Sequence, residues 1–229
     1  MDLATTQDKD LDARDTARRI VFLAAVISTV FGILYFLGLA GKYIVDGSIH
    51  SVSAPPIQMV SAATGLLWDI TLLILFVALR RQITGGKAVY ADLGLVFMAL
   101  LCATSSINWY VQLAVVPRIS PADNPVLLAL VDVHVDSSIM YAMEHLAWGV
   151  FYGLATIFMA VAFPAGRIET WIKWLFITGG VLSILHVVGI IAGVHALIDL
   201  GYFAAGVLLP VTTLLLAVRY RRDEPVAVV

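Results

Sequence analysis

The number of membrane crossings in this chain turns on VLLALVDVHV, residues Val126–Val135. The segment is apolar enough to suggest a crossing of its own. It is too short, because a helix needs about 20 apolar residues to cross a hydrocarbon core of about 30 Å. It also carries Asp132 and His134, is followed by Asp136, and lies beyond Pro121 and Pro125. These features predict a short helix or extended piece lying at the membrane surface.

Around this segment, six stretches do reach the required length. They run approximately over 20–41, 57–79, 90–115, 138–163, 171–194 and 196–218. The composition agrees. The chain has 229 residues, 61% hydrophobic and 13% charged, whereas a soluble domain is about 45–50% apolar and about 25% charged. Lipid is the solvent that accommodates the surplus. The expected fold is all-α: a polytopic bundle of six spans in one domain over 20–218. A polar leader precedes it at 1–19 and a tail follows at 219–229, expected to be disordered over Asp223–Val229. The first stretch follows Arg18 and Arg19, and no small-residue cleavage site comes after it. It therefore reads as a retained helix and not as a signal peptide.

Charge supplies the orientation. With six spans and the N-terminus inside, Lys9, Arg14, Arg18, Arg19, Arg80, Arg81, Lys87, Arg167, Lys173, Arg219, Arg221 and Arg222 lie on the inner side, against Lys42 and Arg118 outside. That is twelve against two; a seventh crossing at Val126–Val135 would make it seven against seven. The positive-inside rule selects six spans and two cytoplasmic termini. Trp171 and Trp174 fit the inner interface, and Tyr43, Trp109 and Tyr110 the outer one. Pro210 predicts a kink in the sixth span. Gly193–His195 predicts a tight hairpin between the fifth and sixth, and Gly85 and Gly86 a turn between the second and third.

Polar residues within the spans gather toward the outer end. At 1.5 Å per residue, Glu144 lies about 9 Å in, His145 and Asn108 about 10 Å, His186 about 12 Å and Asp69 about 18 Å, with Gln112 nearer the surface and Asp199 about 5 Å in. The outer loops add Asp46, His50, Asp123, Asp132, His134, Asp136 and His195. Of these, Asp132 and Asp136 are expected to be solvated. The inner half offers only hydroxyls, Ser28, Thr29, Thr156, Thr178, Thr212 and Thr213, which can bond backward to their own helices. Ionisable groups within a bilayer are expensive, and they face the bundle interior or water. The sequence thus predicts an externally open polar cavity drawing on Asp69, Glu144 and His186, above a dry inner plug. Asp69 and Glu144 are candidate proton donors or carriers.

Spacing refines this picture. Ser105, Asn108 and Gln112 share one helix face, as do Gly179, Ser183 and His186, and Ser61, Gly65 and Asp69. The Asn108/Gln112 face is suited to interhelical hydrogen bonding. Glu144 and His145 point about 100° apart, so no more than one is expected to face a shared centre squarely. The single Cys102 excludes an intramolecular disulfide and reads as a small buried apolar residue.

Several function classes have no support. The net charge of −2 and the scattered basic residues give nucleic acid nothing to bind. No local metal pair, phosphate loop, nucleophile elbow, deep Lys or Arg-rich span occurs. One cofactor reading stays open: His145 and His186 at matched depth on different helices could hold haem b by two imidazoles.

The run Ser106–Pro117 (SINWYVQLAVVP), followed by Met140–Phe163 (MYAMEHLAWGVFYGLATIFMAVAF), resembles a pattern of uncharacterised bacterial multi-spanning membrane proteins. Asn108, Tyr110, Gln112, Glu144 and Trp148 carry the match. This chain has Glu144-His145 where that pattern has two acidic residues. The resemblance implies a bacterial inner membrane location and a joint role for Gln112 and Glu144, and it brings no activity.

Four functions then compete. The leading one is a non-enzymatic protein that binds a small ligand or ion from the outer face through Asp69, Asn108, Gln112, Glu144 and His186. The second is an intramembrane enzyme acting on a lipid or isoprenoid by carboxyl acid/base chemistry. In it, Trp68, Trp109, Tyr110, Trp148 and Tyr152 would stabilise cationic character. The third is a proton-coupled transporter, and the fourth the haem protein.

Overall fold

The computed structural model describes residues 3–46, 55–120 and 122–221, without the side chains of 3–14, 39, 42, 43, 45, 46 and 55–58. The expectations on Asp46, His50, Lys42, Tyr43, Lys9, Arg14, Pro121, Arg222 and the rest of the tail fall outside the described residues or side chains.

The described chain is helical, with no strand. Helix α1 is Leu3–Asp46, α2 Pro55–Gln82, α3 Ala88–Ala114 and the short α4 Pro125–Val131. Helices α5, α6 and α7 run over Ile139–Ala162, Arg167–Ala192 and His195–Arg221. All but α4 are long and apolar enough to cross a membrane, which makes six candidate spans. The central stretch Val126–Val135 is not among the candidate spans; it forms α4 and a turn behind it.

Local chemistry explains the boundaries. Pro125 stands at the first position of α4, where its missing N–H costs nothing. Ser138 caps α5, its hydroxyl accepting from the Tyr141 amide at 2.9 Å. Helix α5 ends at Phe163, held extended before Pro164. Gly193 adopts φ 68°, the left-handed cap that ends α6 and lets α7 begin two residues later. Gly85 plays a similar part before α3 at φ 69°.

Consecutive spans pack side by side, and α7 returns to α1, so the six form a closed ring. Two π-helical turns interrupt it, Leu146–Phe151 in α5 and Ala204–Leu208 in α7. The second lies just before Pro210, whose missing N–H breaks the regular ladder. The Pro210 irregularity takes this form.

The half of the ring nearest Arg80, Arg81, Lys87 and Arg167 is filled. Leu72, Leu75, Phe76, Met159, Ile172, Phe176 and Leu216 are buried there to within 1%. Gly180 lets α5 and α6 approach so closely that a Cβ on it would sit 2.6 Å from the Gly153 carbonyl. Thr29, Thr156, Thr212 and Thr213 bond back to their own helices as expected, whereas the buried Ser28 hydroxyl takes no hydrogen bond among the described residues. Thr29 donates to the Ala25 carbonyl at 2.8 Å, Thr156 to Tyr152 at 3.0 Å and Thr212 to Leu208 at 2.6 Å. Thr29 and Thr213 also join α1 to α7 at 2.7 Å. Arg80 pairs with Asp92, and Arg219 with Glu169, at this end.

Candidate functional site

The opposite half of the ring holds a cavity of about 110 Å³, open on one side, to which all six spans contribute. Tyr35 and Phe36 come from α1, Trp68 from α2 and Trp109 from α3. Tyr141, Glu144, His145 and Trp148 come from α5, His186 from α6, and Gly201, Tyr202 and Ala205 from α7. Val133 and His134, from the segment behind α4, complete the wall. Both π-turns touch this cavity, Trp148 lying in one and Ala205 in the other. Such turns are frequent at functional sites because they re-aim side chains without ending the helix.

The aromatic rings are seated by glycines on neighbouring helices. A Cβ at Gly65 would meet the Trp109 ring at 2.6 Å, and one at Gly32 would meet Trp68 at 2.9 Å. The rings then touch one another. Trp68 and Trp148 are 5.0 Å apart between centroids, Tyr35 and Trp109 5.7 Å, and Tyr35 and Trp68 5.8 Å. Trp109 is therefore not an interfacial anchor, contrary to expectation. It is 4% exposed because Gly65 leaves it a slot inside the ring, while its neighbour Tyr110 is 64% exposed and does face outward.

Glu144 is held from α3. Asn108 Nδ2 donates to its Oε2 at 2.7 Å, and the Ser105 hydroxyl donates to the same oxygen at 3.3 Å. Trp148 Nε1 donates to Ser105 Oγ at 3.2 Å, which ties the aromatic wall to the carboxyl. Gln112 stands one turn above. Its Nε2 donates to Asn108 Oδ1 at 3.3 Å and to the Val131 carbonyl at 2.8 Å, and its Oε1 accepts from the Val133 amide at 3.4 Å. Asn108 and Gln112 are thus a scaffold behind Glu144 that also moors the segment after α4. Neither lines the cavity.

His145 turns to the other wall. His186 Nε2 and His145 Nδ1 are 2.7 Å apart, and His186 Nδ1 bonds the Ile198 carbonyl. A carbonyl only accepts, so His186 carries its proton on Nδ1. In the uncharged pair, His145 Nδ1–H then donates to His186 Nε2. Gly201 makes room for the His186 ring: a Cβ there would sit 2.4 Å from it. Glu144 and His145 both reach the cavity, which corrects the expectation that only one would. Their 100° separation sends one toward α3 and the other toward α6, and the cavity spans that gap.

Asp69 is fully buried on α2 and does not line the cavity. Neither carboxyl oxygen takes a hydrogen bond of good geometry among the described residues; the Ser105 side chain lies beside it. Asp69 and Glu144 are thereby neighbours across Ser105, not joint liners of one wall. Cys102 is buried, its thiol donating to the Asp69 carbonyl at 3.0 Å. Asp132, expected in solvent, is fully buried. Its Oδ1 accepts from the His134 amide and bonds His134 Nδ1, each at 2.9 Å, which folds the segment back over the ring.

The histidine pair does not suit haem as it stands. An iron between two ring nitrogens needs two metal–nitrogen bonds of about 2 Å each, and here the nitrogens are bonded directly at 2.7 Å. Among the described residues, no group of three or more His, Cys, Asp or Glu could hold a metal ion.

Tyr35, Phe36, Tyr141 and Tyr202 belong to the site without having been singled out in the sequence, and His134, placed there in an outer loop, lines it as well. Aromatic residues in apolar spans give no local sign of whether they face lipid or a cavity. No protein-family model, curated protein or solved structure matches the chain.

Proposed function

We propose that this multi-pass membrane protein binds a small ligand in the cavity at the end of its helix ring, from the outer face of a bacterial cytoplasmic membrane. The observation that carries the proposal is the convergence of all six spans on one cavity containing Glu144, His145 and His186. A ring evolved only for packing would fill that volume with aliphatic side chains, as the other half does. The filled half also favours binding over transport, since a transported species needs a path through it. The lopsided basic residues support cytoplasmic termini, and the Asn108/Gln112/Glu144 network fits the joint role implied by the bacterial resemblance.

The experiment is a thermal-stability screen of the purified protein in detergent. Three probe classes are used: small ammonium ions, small carboxylates and small neutral aromatics. Each is run against wild type and against Ala205→Trp, which plugs the cavity. At least one class should raise Tm in wild type and fail to do so in the plugged variant, because a ligand that binds only the folded state stabilises it. Identical responses of both proteins to all three classes would remove the proposal.

An intramembrane enzyme acting on a lipid or isoprenoid is the second reading. It is favoured by the placement of Trp68, Trp109 and Trp148 around a held carboxyl, Glu144, suited to acid chemistry. Lipid analysis of a deletion strain distinguishes the two: a missing or accumulated lipid species favours the enzyme, and an unchanged profile favours binding.

A further inference from the structure

We infer that the cavity takes a small organic cation, a substituted ammonium group, seated among aromatic rings with Glu144 as its counter-charge. The inference rests on the cavity being a ligand site, as proposed above, and adds the class of ligand. Three features of the wall point the same way.

The first is the ring content. Tyr35, Trp68, Trp109, Tyr141, Trp148 and Tyr202 all border the cavity. Neighbouring rings are set at different angles: Trp68 and Trp148 at 38°, Tyr35 and Trp109 at 72°. A group among them meets rings from several directions, which is how aromatic cages hold alkylated ammonium ions. An anion would face the same π electrons unfavourably.

The second is charge. Among the described residues, no Lys or Arg lines the cavity. The three imidazoles on the wall are engaged: His134 is bonded to Asp132, and His145 to His186, which in turn bonds the Ile198 carbonyl. Glu144 is then the group on the wall that can carry a negative charge. Its Oε2 is occupied by Asn108 and Ser105, so Oε1 is the oxygen open to a ligand. Asp69, behind Ser105, adds a second carboxyl to the same side.

The third is size. A cavity of about 150 Å³ accommodates benzene. One of about 110 Å³ admits a single head group of trimethylammonium size, and the open side leaves any tail outside. The cation has two possible sources, a free molecule or the head group of a choline lipid.

The test uses the full chain in phosphatidylglycerol nanodiscs. Choline is titrated against 3,3-dimethylbutan-1-ol, which has the same shape with carbon in place of the charged nitrogen. Tryptophan fluorescence and Tm are the readouts. Choline should bind at least about tenfold more tightly than the alcohol. Glu144→Gln, which keeps an acceptor for Asn108, should weaken choline by about 10–100-fold and leave the alcohol unchanged. Trp148→Phe, a milder change, should weaken choline by a few fold. In phosphatidylcholine nanodiscs, loss of the choline response assigns the site to the lipid head group, and its persistence assigns it to a free cation; both sustain the inference. Equal binding of choline and the alcohol, or a response to carboxylate probes alone, overturns the cation and leaves the ligand site standing. No response of wild type to any probe class overturns both.

Discussion

In the half of the ring nearest the basic residues, Leu72, Leu75, Phe76 and Phe176 are buried to within 1% and glycines bring helices into contact. In the other half the same six helices surround space. There the glycines do the opposite work: Gly32 and Gly65 seat tryptophans, and Gly201 makes room for the His186 ring. Polar groups divide the same way. Thr29, Thr156 and Thr212 bond back to their own helices, whereas Glu144, Asn108, Gln112, His145 and His186 bond across helices or to loops. Beyond the Thr29–Thr213 contact, these hydroxyls fix little outside their own turns, but a cross-helix network holds a wall apart and defines its chemistry. One half thus sets stability and the other pays for shape.

The contrast can be broken by substitution. Phe76→Ala should cost about 3–5 kcal/mol, because Phe76 is fully buried against Phe176 at 6.0 Å. Measured by denaturation in mixed micelles, it should leave the affinity of any cavity ligand unchanged; a lost ligand response would mean the halves are coupled. Gly180→Ala should cost about 3 kcal/mol by forcing α5 from α6, visible as a lower Tm and an early-eluting fraction on size exclusion. A neutral result there would show that close packing at Gly180 and Gly153 does not hold the filled half together.

Asn108→Ala should cost about 2 kcal/mol, since it strips a donor from Glu144 Oε2 and an acceptor from Gln112. Unlike Phe76→Ala it should lower ligand affinity as well as Tm, and an effect on Tm alone would reduce Asn108 to structure. The smallest effect is expected at Thr213→Val, which removes the Thr29 contact at 2.7 Å between α1 and α7. Interhelical bonds of this kind average about 0.6 kcal/mol. A much larger loss would mean that the α1–α7 seam closes the ring by hydrogen bonding and not by packing. Reporter fusions sharpen the geometry itself: a fluorescent protein after residue 221 should light up inside the cell, and alkaline phosphatase fused there should stay inactive.

The spans were legible in the sequence because hydropathy, proline and glycine act within a few residues. The expected 138–163 and the observed Ile139–Ala162 agree since Ser138 caps one end and Pro164 stops the other. The polar end of the bundle was legible for the same reason. Asn108 and Gln112 were rightly grouped, as i and i+4 on one face. The errors have a common cause. Trp109 and Asp132 were assigned from depth or loop position, and each was decided by a residue distant in sequence: Gly65, and Gln112, which moors the segment holding Asp132.

What the sequence determined alone is the number of helices long and apolar enough to cross, the end of the bundle at which polar groups gather and, through the basic residues, the expected orientation. All of these follow from each residue's own transfer energy and its position along one helix. Only the tertiary structure decided that Tyr35, Tyr141 and Tyr202 meet around Glu144, that Asp69 stands behind the wall and that two histidines join. Those facts depend on how each helix is rotated toward its neighbours, and that rotation is set by packing across the whole ring.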